Sequence, residues 1–241
     1  MKKYHWIFVG SKNAMKYKVI IPARANSKRL PRKNMKFLGN KPLIQHSIDY
    51  ALNNFKADEV WVNSDDKEII EFANKKGVNT LVRPDVLGLD LTPTVDVLKF
   101  QINYFKKKKI ECNSIILLQP TNPFRNKDLL SQAIKKFESS NRNSLATFSI
   151  YEKKLGKINN DFYRPTNYLP GQRSQDIEKT YFENGLLYII KCESILLGEI
   201  ITEDVYPFVC YDAGSKVDID YLEDFIYAEM LLKSKINNEK K

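Results

Sequence analysis

Ile20-Ile-Pro-Ala-Arg-Ala-Asn-Ser-Lys-Arg-Leu-Pro-Arg-Lys-Asn34 joins a short apolar strand, read as Lys18–Pro22, to a loop with five Lys or Arg and two Asn. Three of the cations, Arg29, Arg32 and Lys33, fall within five residues, and no acid stands near them. Phosphate oxygens need convergent donors. Arg24, Ser27, Lys33 and Asn34 offer a guanidinium, a hydroxyl, an ammonium and an amide on one segment. A nucleoside triphosphate is the anion such a loop suits, and a plain basic turn is the competing reading. The spacing is neither GxxxxGK[ST] nor GxGxxG, which sets aside the P-loop NTPases and the glycine-fingerprint dinucleotide folds.

The charge of the whole chain is as concentrated as the loop suggests. The formal charge is +10, from 39 Lys and Arg against 29 Asp and Glu. Twelve of the basic residues precede the first acid, Asp49, so the chain from Asp49 onward is slightly acidic. Such an imbalance favours a discrete anion site over a surface that tracks a polynucleotide. The later run Lys106–Lys109 reads as the solvated end of a helix, where cations suit the dipole. A chain of 241 residues with 43% hydrophobic content fits one α/β domain, residues 16–241, with residues 1–15 an appendage lacking a role in the fold. Cys112, Cys192 and Cys210 match no metal or disulfide spacing and read as buried free thiols in a reducing compartment. Two His residues nearly exclude a His-based triad or a His-rich metal centre. The apolar run Trp6–Val9 is too short for a leader, and no run approaches the roughly 20 residues of a spanning helix. A soluble, cytoplasmic protein is expected, with no membrane or nucleic-acid partner.

Strands over Glu59–Asn63, Thr80–Val82, Ser114–Gln119, Leu145–Ile150 and Tyr181–Ile190 follow the first. Between them run helices from Pro42 to Leu52, from Asp65 or Asp66 to Gly77, over Val95–Lys107 and over Asn126–Ser139. A last amphipathic helix, Tyr221–Lys233, closes the chain. This alternation predicts a three-layer α/β sandwich around a mostly parallel, Rossmann-like sheet. Ligands of such sheets lie beyond the carboxyl ends of the strands, and the polar segments after Pro22, Asn63 and Leu118 all fall at that edge. Residues 150–182 break the rhythm. A polar stretch of that length with Pro165 and Pro170 predicts a protruding segment whose partner is a second subunit. Asp218 and Asp220, two apart on an extended segment, share a face while Val217 and Ile219 turn inward. They read either as an incomplete Mg²⁺ site or, through Asp220-Tyr-Leu-Glu223, as a capping box. Asp65-Asp66 reads as a helix cap before a metal pair, and Tyr181, Phe182 and Tyr188 as core or interface.

An ordered set of motifs then resembles one family over residues 17–230. Ile21-Pro-Ala-Arg24, Ser27-Lys28, Lys33-Asn34 and Gly39-Asn-Lys-Pro-Leu43 open it. Asn63-Ser-Asp-Asp66, Arg83-Pro84, Thr92-Pro-Thr94 and Leu117-Leu-Gln-Pro-Thr121 continue it, and Gln175-Asp176, Glu183-Asn-Gly185 and Val217-Asp-Ile-Asp220 end it. The set resembles the acylneuraminate (nonulosonic acid) cytidylyltransferases, the CMP-sialic acid synthetases and their relatives. The resemblance implies transfer of CMP from CTP to the anomeric hydroxyl of a nonulosonic acid, with release of pyrophosphate. It implies that Arg24, Ser27, Lys33 and Asn34 hold the CTP phosphates, with Arg24 and Lys33 neutralising the departing pyrophosphate. Arg83 and Thr94 would lie near the cytidine, Gln119 would face the sugar, and Asp218 and Asp220 would hold Mg²⁺. It further implies a homodimer whose protruding segment supplies Arg173 and Gln175 to the neighbour's sugar pocket. Two departures stand out. Ala25-Asn26 replaces glycine usual in the family and predicts a stiff, strained phosphate loop, and Ile177 is not followed by the usual proline. A 3-deoxy-manno-octulosonate cytidylyltransferase shares the Ile-Pro-Ala-Arg signature but lacks the Lys33-Asn34 pair. A nucleic-acid-binding protein with a basic arm over residues 1–48 is the reading from another class. Which nonulosonic acid is used (N-acetylneuraminic, legionaminic or pseudaminic) stays open at this level.

Overall fold

The computed structural model describes residues 15–25 and 27–239. The expected appendage therefore lies, apart from Met15, outside the described residues, as does Asn26. In chain order the elements are β1 (Tyr17–Pro22), the two-residue strands β2 (Phe37–Leu38) and β3 (Lys41–Pro42), α1 (Leu43–Leu52), β4 (Val60–Ser64) and α2 (Lys67–Lys75). Then come β5 (Asn79–Val82), α3 (Thr94–Lys108), β6 (Ser114–Leu117), α4 (Leu129–Ser140) and β7 (Ser144–Tyr151). The chain continues with β8 (Gly156–Asn159), β9 (Phe162–Pro165), β10 (Thr180–Lys191), α5 (Cys192–Leu197), β11 (Tyr206–Cys210) and α6 (Leu222–Glu239).

Seven strands form one sheet in the order β11-β7-β10-β6-β1-β4-β5. All neighbours pair in parallel except β10, which runs antiparallel to both β6 and β7. The mostly parallel α/β sandwich expected from the sequence is thus observed. Period-two alternation in β1 explains the layering. Val19 and Ile21 face a cluster built with Ile44, Ile48, Ile69 and Phe137 of α1, α2 and α4. Ile20 faces the opposite cluster, with Leu98, Ile102 and Phe105 of α3 and Ile195 of α5. A third cluster lies at the carboxyl edge. Leu30, Leu38 and Leu43 meet Phe124, Val217, Ile219 and the α6 residues Phe225 and Ala228 there. Burial of these side chains, worth ~1.5–3 kcal/mol each, fastens the loop after β1 to the segment before α6.

Local chemistry accounts for the element ends. Asp66 caps α2 by accepting the Glu68 amide at 2.8 Å, and Gly77 follows that helix with a φ of 77°. Lys106, Lys107 and Lys108 end α3 on the solvated side, as read from the sequence. Pro42 sits just before α1 rather than in its first turn, because it pairs with Phe37 in the small β2–β3 hairpin. Residues 152–179 do not stay structureless. They form the hairpin β8–β9, which pairs only with itself.

Candidate nucleotide and acceptor site

β1 lies between β4 and β6, and the chain leaves β1 toward β4 but reaches β6 only later. This is the point where an open α/β sheet places a ligand crevice. The loop beyond Pro22 is bound by its own polar groups. Asn34 Nδ2 donates to the Arg24 carbonyl at 3.0 Å, and the Leu30 amide donates to Ser27 Oγ at 3.4 Å. Leu30 then enters the third apolar cluster, so Ser27, Lys33 and Asn34 are all buried. Ala25 is not among the residues with positive φ. Its amide is held by Asp65, and among the described residues of the loop the left-handed one is Arg32, with a φ of 54°. The strain expected at Ala25 is therefore absent from that residue.

A buried ammonium needs a partner, and Lys33 finds one across the chain. Its Nζ donates to the Ile219 carbonyl at 2.7 Å and to Asp220 Oδ1 at 2.9 Å. Asp220 Oδ2 meets Arg29 at 2.9 Å, and the Arg29 guanidinium lies 5.2 Å from the centre of the Tyr221 ring. Val217 and Ile219 are buried, as the alternation requires, so Asp218 and Asp220 share the outer face. Asp218 is exposed to solvent. Its carboxyl is held above the ordinary range by desolvation first and by the Asp220 and Asp224 carboxylates, while a Thr121 hydrogen bond and Lys33 pull it back. The capping expected of Asp220-Tyr-Leu-Glu223 is made differently. Asp224 accepts the amides of Asp220 and Tyr221 at 2.9 and 2.8 Å, because its carboxylate, one residue further on, reaches the turn.

On the other side of the loop, Arg83 leaves the end of β5 and is buried against Asp65, with Nε at 3.1 Å and Nη2 at 2.8 Å from Oδ1. Burial lowers the Arg83 pKa, and the Asp65 carboxylate opposes that shift. Arg24 and Lys28 both pair with Asp90, Lys28 at 2.9 Å. Asp90 is held below the usual carboxylate range, by the Lys28 hydrogen bond first and by Arg24. Thr94, the first residue of α3, opens a cleft of about 320 Å³ that Gln119, Glu183, Tyr188, Leu117, Ile200 and Ile201 complete. A larger groove of about 510 Å³ runs between α4 and β11, but it gathers none of the residues above.

The cleft of Gln119 is shaped by an irregularity in β10. The register slips between Glu183 and Tyr188, and Gly185 takes a φ of 73° at that bulge. A Cβ there would lie 2.8 Å from Asn122 Oδ1 and 2.9 Å from Gln119 Oε1, so a glycine lets the strand approach both side chains. The slip brings Glu183 beside the buried Tyr188, whose hydroxyl donates to the Glu183 carboxylate. Asn122 donates to the Asn184 and Val217 carbonyls at 2.8 and 3.0 Å, joining the bulge to the Asp218 segment. Arg125 is half-buried and pairs with no carboxylate among the described residues. It donates to the carbonyls of Leu186 at 2.6 Å and Gln119 at 2.7 Å, and to Ser47 Oγ at 3.0 Å, and burial pulls its pKa down to about 10.

The structure thus brings Arg24, Ser27, Lys33, Asn34, Asp218 and Asp220 to one end of the sheet, with Arg83 tied to the same loop and Thr94 and Gln119 in the adjoining cleft. It does not bring Arg173 and Gln175 there. Both are exposed on the segment before β10, where Arg173 pairs with Asp176 at 2.7 Å. Sequence reasoning assigned no role to Asp90, Arg125 or Glu183 and read Asp65 as a helix cap or, less favoured, half of a metal pair. A lone half-buried Arg leaves no mark in sequence, although Asp90 falls two residues before the Thr92-Pro-Thr94 motif.

A basic anion loop at the switch point of a parallel sheet, beside a second polar cleft, is the layout of a nucleotidyltransferase. Family comparison gives the rest. A family model described as cytidylyltransferase matches residues 18–241. The chain is 34% identical over 232 residues to a pseudaminic acid cytidylyltransferase of Campylobacter jejuni, covering 93% of this chain and 99% of that protein. It is 28% identical to a CMP-N,N'-diacetyllegionaminic acid synthase of Legionella pneumophila, covering 91% and 97%. A CMP:2-keto-3-deoxy-manno-octonic acid synthetase structure superposes with a TM-score of 0.69 over 91% of this chain and 99% of that one. At 17% identity it speaks for the fold alone. The chain belongs to the cytidylyltransferase family, on the nonulosonic acid branch.

Proposed function

We propose that this protein transfers CMP from CTP to the anomeric hydroxyl of a nonulosonic acid, with pseudaminic acid the first acceptor to test, and releases pyrophosphate. The observation that carries the reading is the convergence of the basic loop, Asp218 and Asp220 beside the cleft of Gln119. Similarity to the Campylobacter enzyme over nearly its whole length supports the choice of acid.

Each residue then has a task suited to its chemistry. Arg24, Ser27, Lys33 and Asn34 bind the triphosphate, and Arg24 and Lys33 offset charge as it grows on the leaving pyrophosphate. Arg83 and Thr94 orient the nucleoside, and Gln119, held through its backbone by Arg125, faces the acceptor. Asp218 and Asp220 fit a divalent cation of incomplete coordination: two carboxylates share a face, and one of them has no cation within hydrogen-bond reach. No group of three or more potential ligands occurs among the described residues, so substrate oxygens and water would complete the shell. Mg²⁺ bound there would supply charge neutralisation at the phosphate and acidify the sugar hydroxyl. No helix among the described residues is long and apolar enough to cross a membrane.

The protruding hairpin supports a homodimer. Ile158, Phe162 and Leu169 are each more than two-thirds exposed there, an unusual display for a surface with no partner. Pyrophosphate release measured with CTP and each of pseudaminic, legionaminic, N-acetylneuraminic and 3-deoxy-manno-octulosonic acids tests the reading. Turnover with a nonulosonic acid at least about tenfold above the eight-carbon acid is expected. Preference for the eight-carbon acid, or equal use of UTP, overturns it.

A further inference from the structure

Asp65 and Asp66 leave β4 side by side and serve different ends. Asp66 caps α2, so the capping role is filled. Asp65 turns toward the nucleotide loop, with its side chain only 11% exposed. Its Oδ1 takes both Nε and Nη2 of Arg83, and its two oxygens lie 3.2 and 3.3 Å from the Ala25 amide. Gly88 packs against the same group, since a Cβ there would lie 2.5 Å from Oδ2. One carboxylate thus joins the ends of β1, β4 and β5 and the segment after β5. Two of the five Arg83 N–H donors are taken by Asp65, which fixes the plane of the guanidinium.

We propose that Asp65 is a positioning residue that couples the triphosphate half of the nucleotide site to its nucleoside half. The inference rests on the cytidylyltransferase reading above. The Ala25 amide belongs to the loop that takes the phosphates, and Arg83 belongs to the side that takes the nucleoside. With both held on one acceptor, ordering either half fixes the other, and the second fragment to bind meets a site already set. Without the charge, Arg83 is a buried cation with no counter-ion, and the loop amide loses its anchor.

Calorimetry on wild-type protein and Asp65→Asn tests the coupling, with pyrophosphate, cytidine and CTP as probes. In wild type, saturating pyrophosphate should tighten cytidine binding several-fold, and in Asp65→Asn that cooperation should vanish. CTP affinity should fall by about tenfold or more in the variant, within the usual range of coupling between sites. The KM for the acceptor acid should stay where it is, while the melting temperature should fall, because Arg83 loses its buried counter-ion. Gly88→Ala is the second variant, because it displaces the same carboxylate while keeping its charge, and it should also abolish the cooperation. Cooperation that persists in both variants overturns the proposal. So does an Asp65→Asn protein that loses CTP and acceptor affinity alike. Failure of the wild-type protein to prefer CTP would instead bring down the cytidylyltransferase reading on which the proposal stands.

Discussion

Asp218 and Asp220 share a face but not an electrostatic situation. Asp220 answers two cations, Lys33 and Arg29, whereas Asp218 is held above its ordinary pKa by desolvation first and then by the Asp220 and Asp224 carboxylates. A raised folded-state pKa contributes stability that is complete below the unfolded value of about 3.9 and is lost as pH rises through the folded value. At neutral pH the ionised Asp218 therefore works against the fold. Asp218→Asn should raise the melting temperature of the ligand-free protein while lowering kcat by a hundredfold or so, the pattern of a group placed for chemistry. Asp220→Asn should also abolish turnover, yet leave CTP binding intact or tighter, because it releases Lys33 and Arg29 toward phosphate. Calorimetric titration of CTP distinguishes the two, and a loss of CTP affinity in Asp220→Asn would count against the assignment. The charges themselves were legible in the sequence. Their pairing was not, since 187 residues separate Lys33 from Asp220 and nothing local specifies who meets whom. Asp65 and Asp66 show the same limit, because both suit a helix cap and only the folded chain turns one of them back.

Among the elements, the buried strands were the easiest to read. Ser114–Leu117 is apolar on both faces after its first residue because helices cover the sheet on both sides, and such a run has few alternatives. The edge strand β11 escaped, since Pro207 lies inside it and a proline argues against a strand except at an edge. Helix α5 has only six residues, too few to establish a period. The bulge in β10 was visible only as a glycine within Glu183-Asn-Gly185, and its reason lies in side chains from another strand end. Gly185→Ala forces a left-handed φ on alanine and drives a methyl into Gln119 and Asn122. It should cost about 1–3 kcal/mol of stability, read by chemical denaturation, and raise the KM for the acceptor acid far more than that for CTP. An equal rise in both would show that the bulge does not shape the acceptor cleft.

At the scale of the whole molecule, the hairpin β8–β9 has an apolar surface but no part in the core. If it seats on a second copy, Phe162→Lys should leave the fold intact and shift the sedimentation coefficient from dimer to monomer. Turnover should fall in parallel, as Arg173 and Gln175 lose the neighbouring cleft they would serve. A variant that remains dimeric, or a monomer with full activity, would remove the hairpin from the proposal. The loss of periodicity marked where the chain departs from the alternation of strands and helices, but it could not show the hairpin, whose residues alternate over too short a span.

The antiparallel course of β10 carries one last consequence. Its twelve residues run about 40 Å as a single ribbon. One end follows the hairpin segment, the middle lines the cleft proposed for the acceptor, and the far end pairs with β6 and β7. The groups proposed to hold the donor nucleotide all come earlier, from residues 24 to 94, and apart from Thr94 they lie on other strand ends. Substitutions in the middle of this ribbon would therefore reshape the proposed acceptor cleft while leaving the groups proposed for CTP in place.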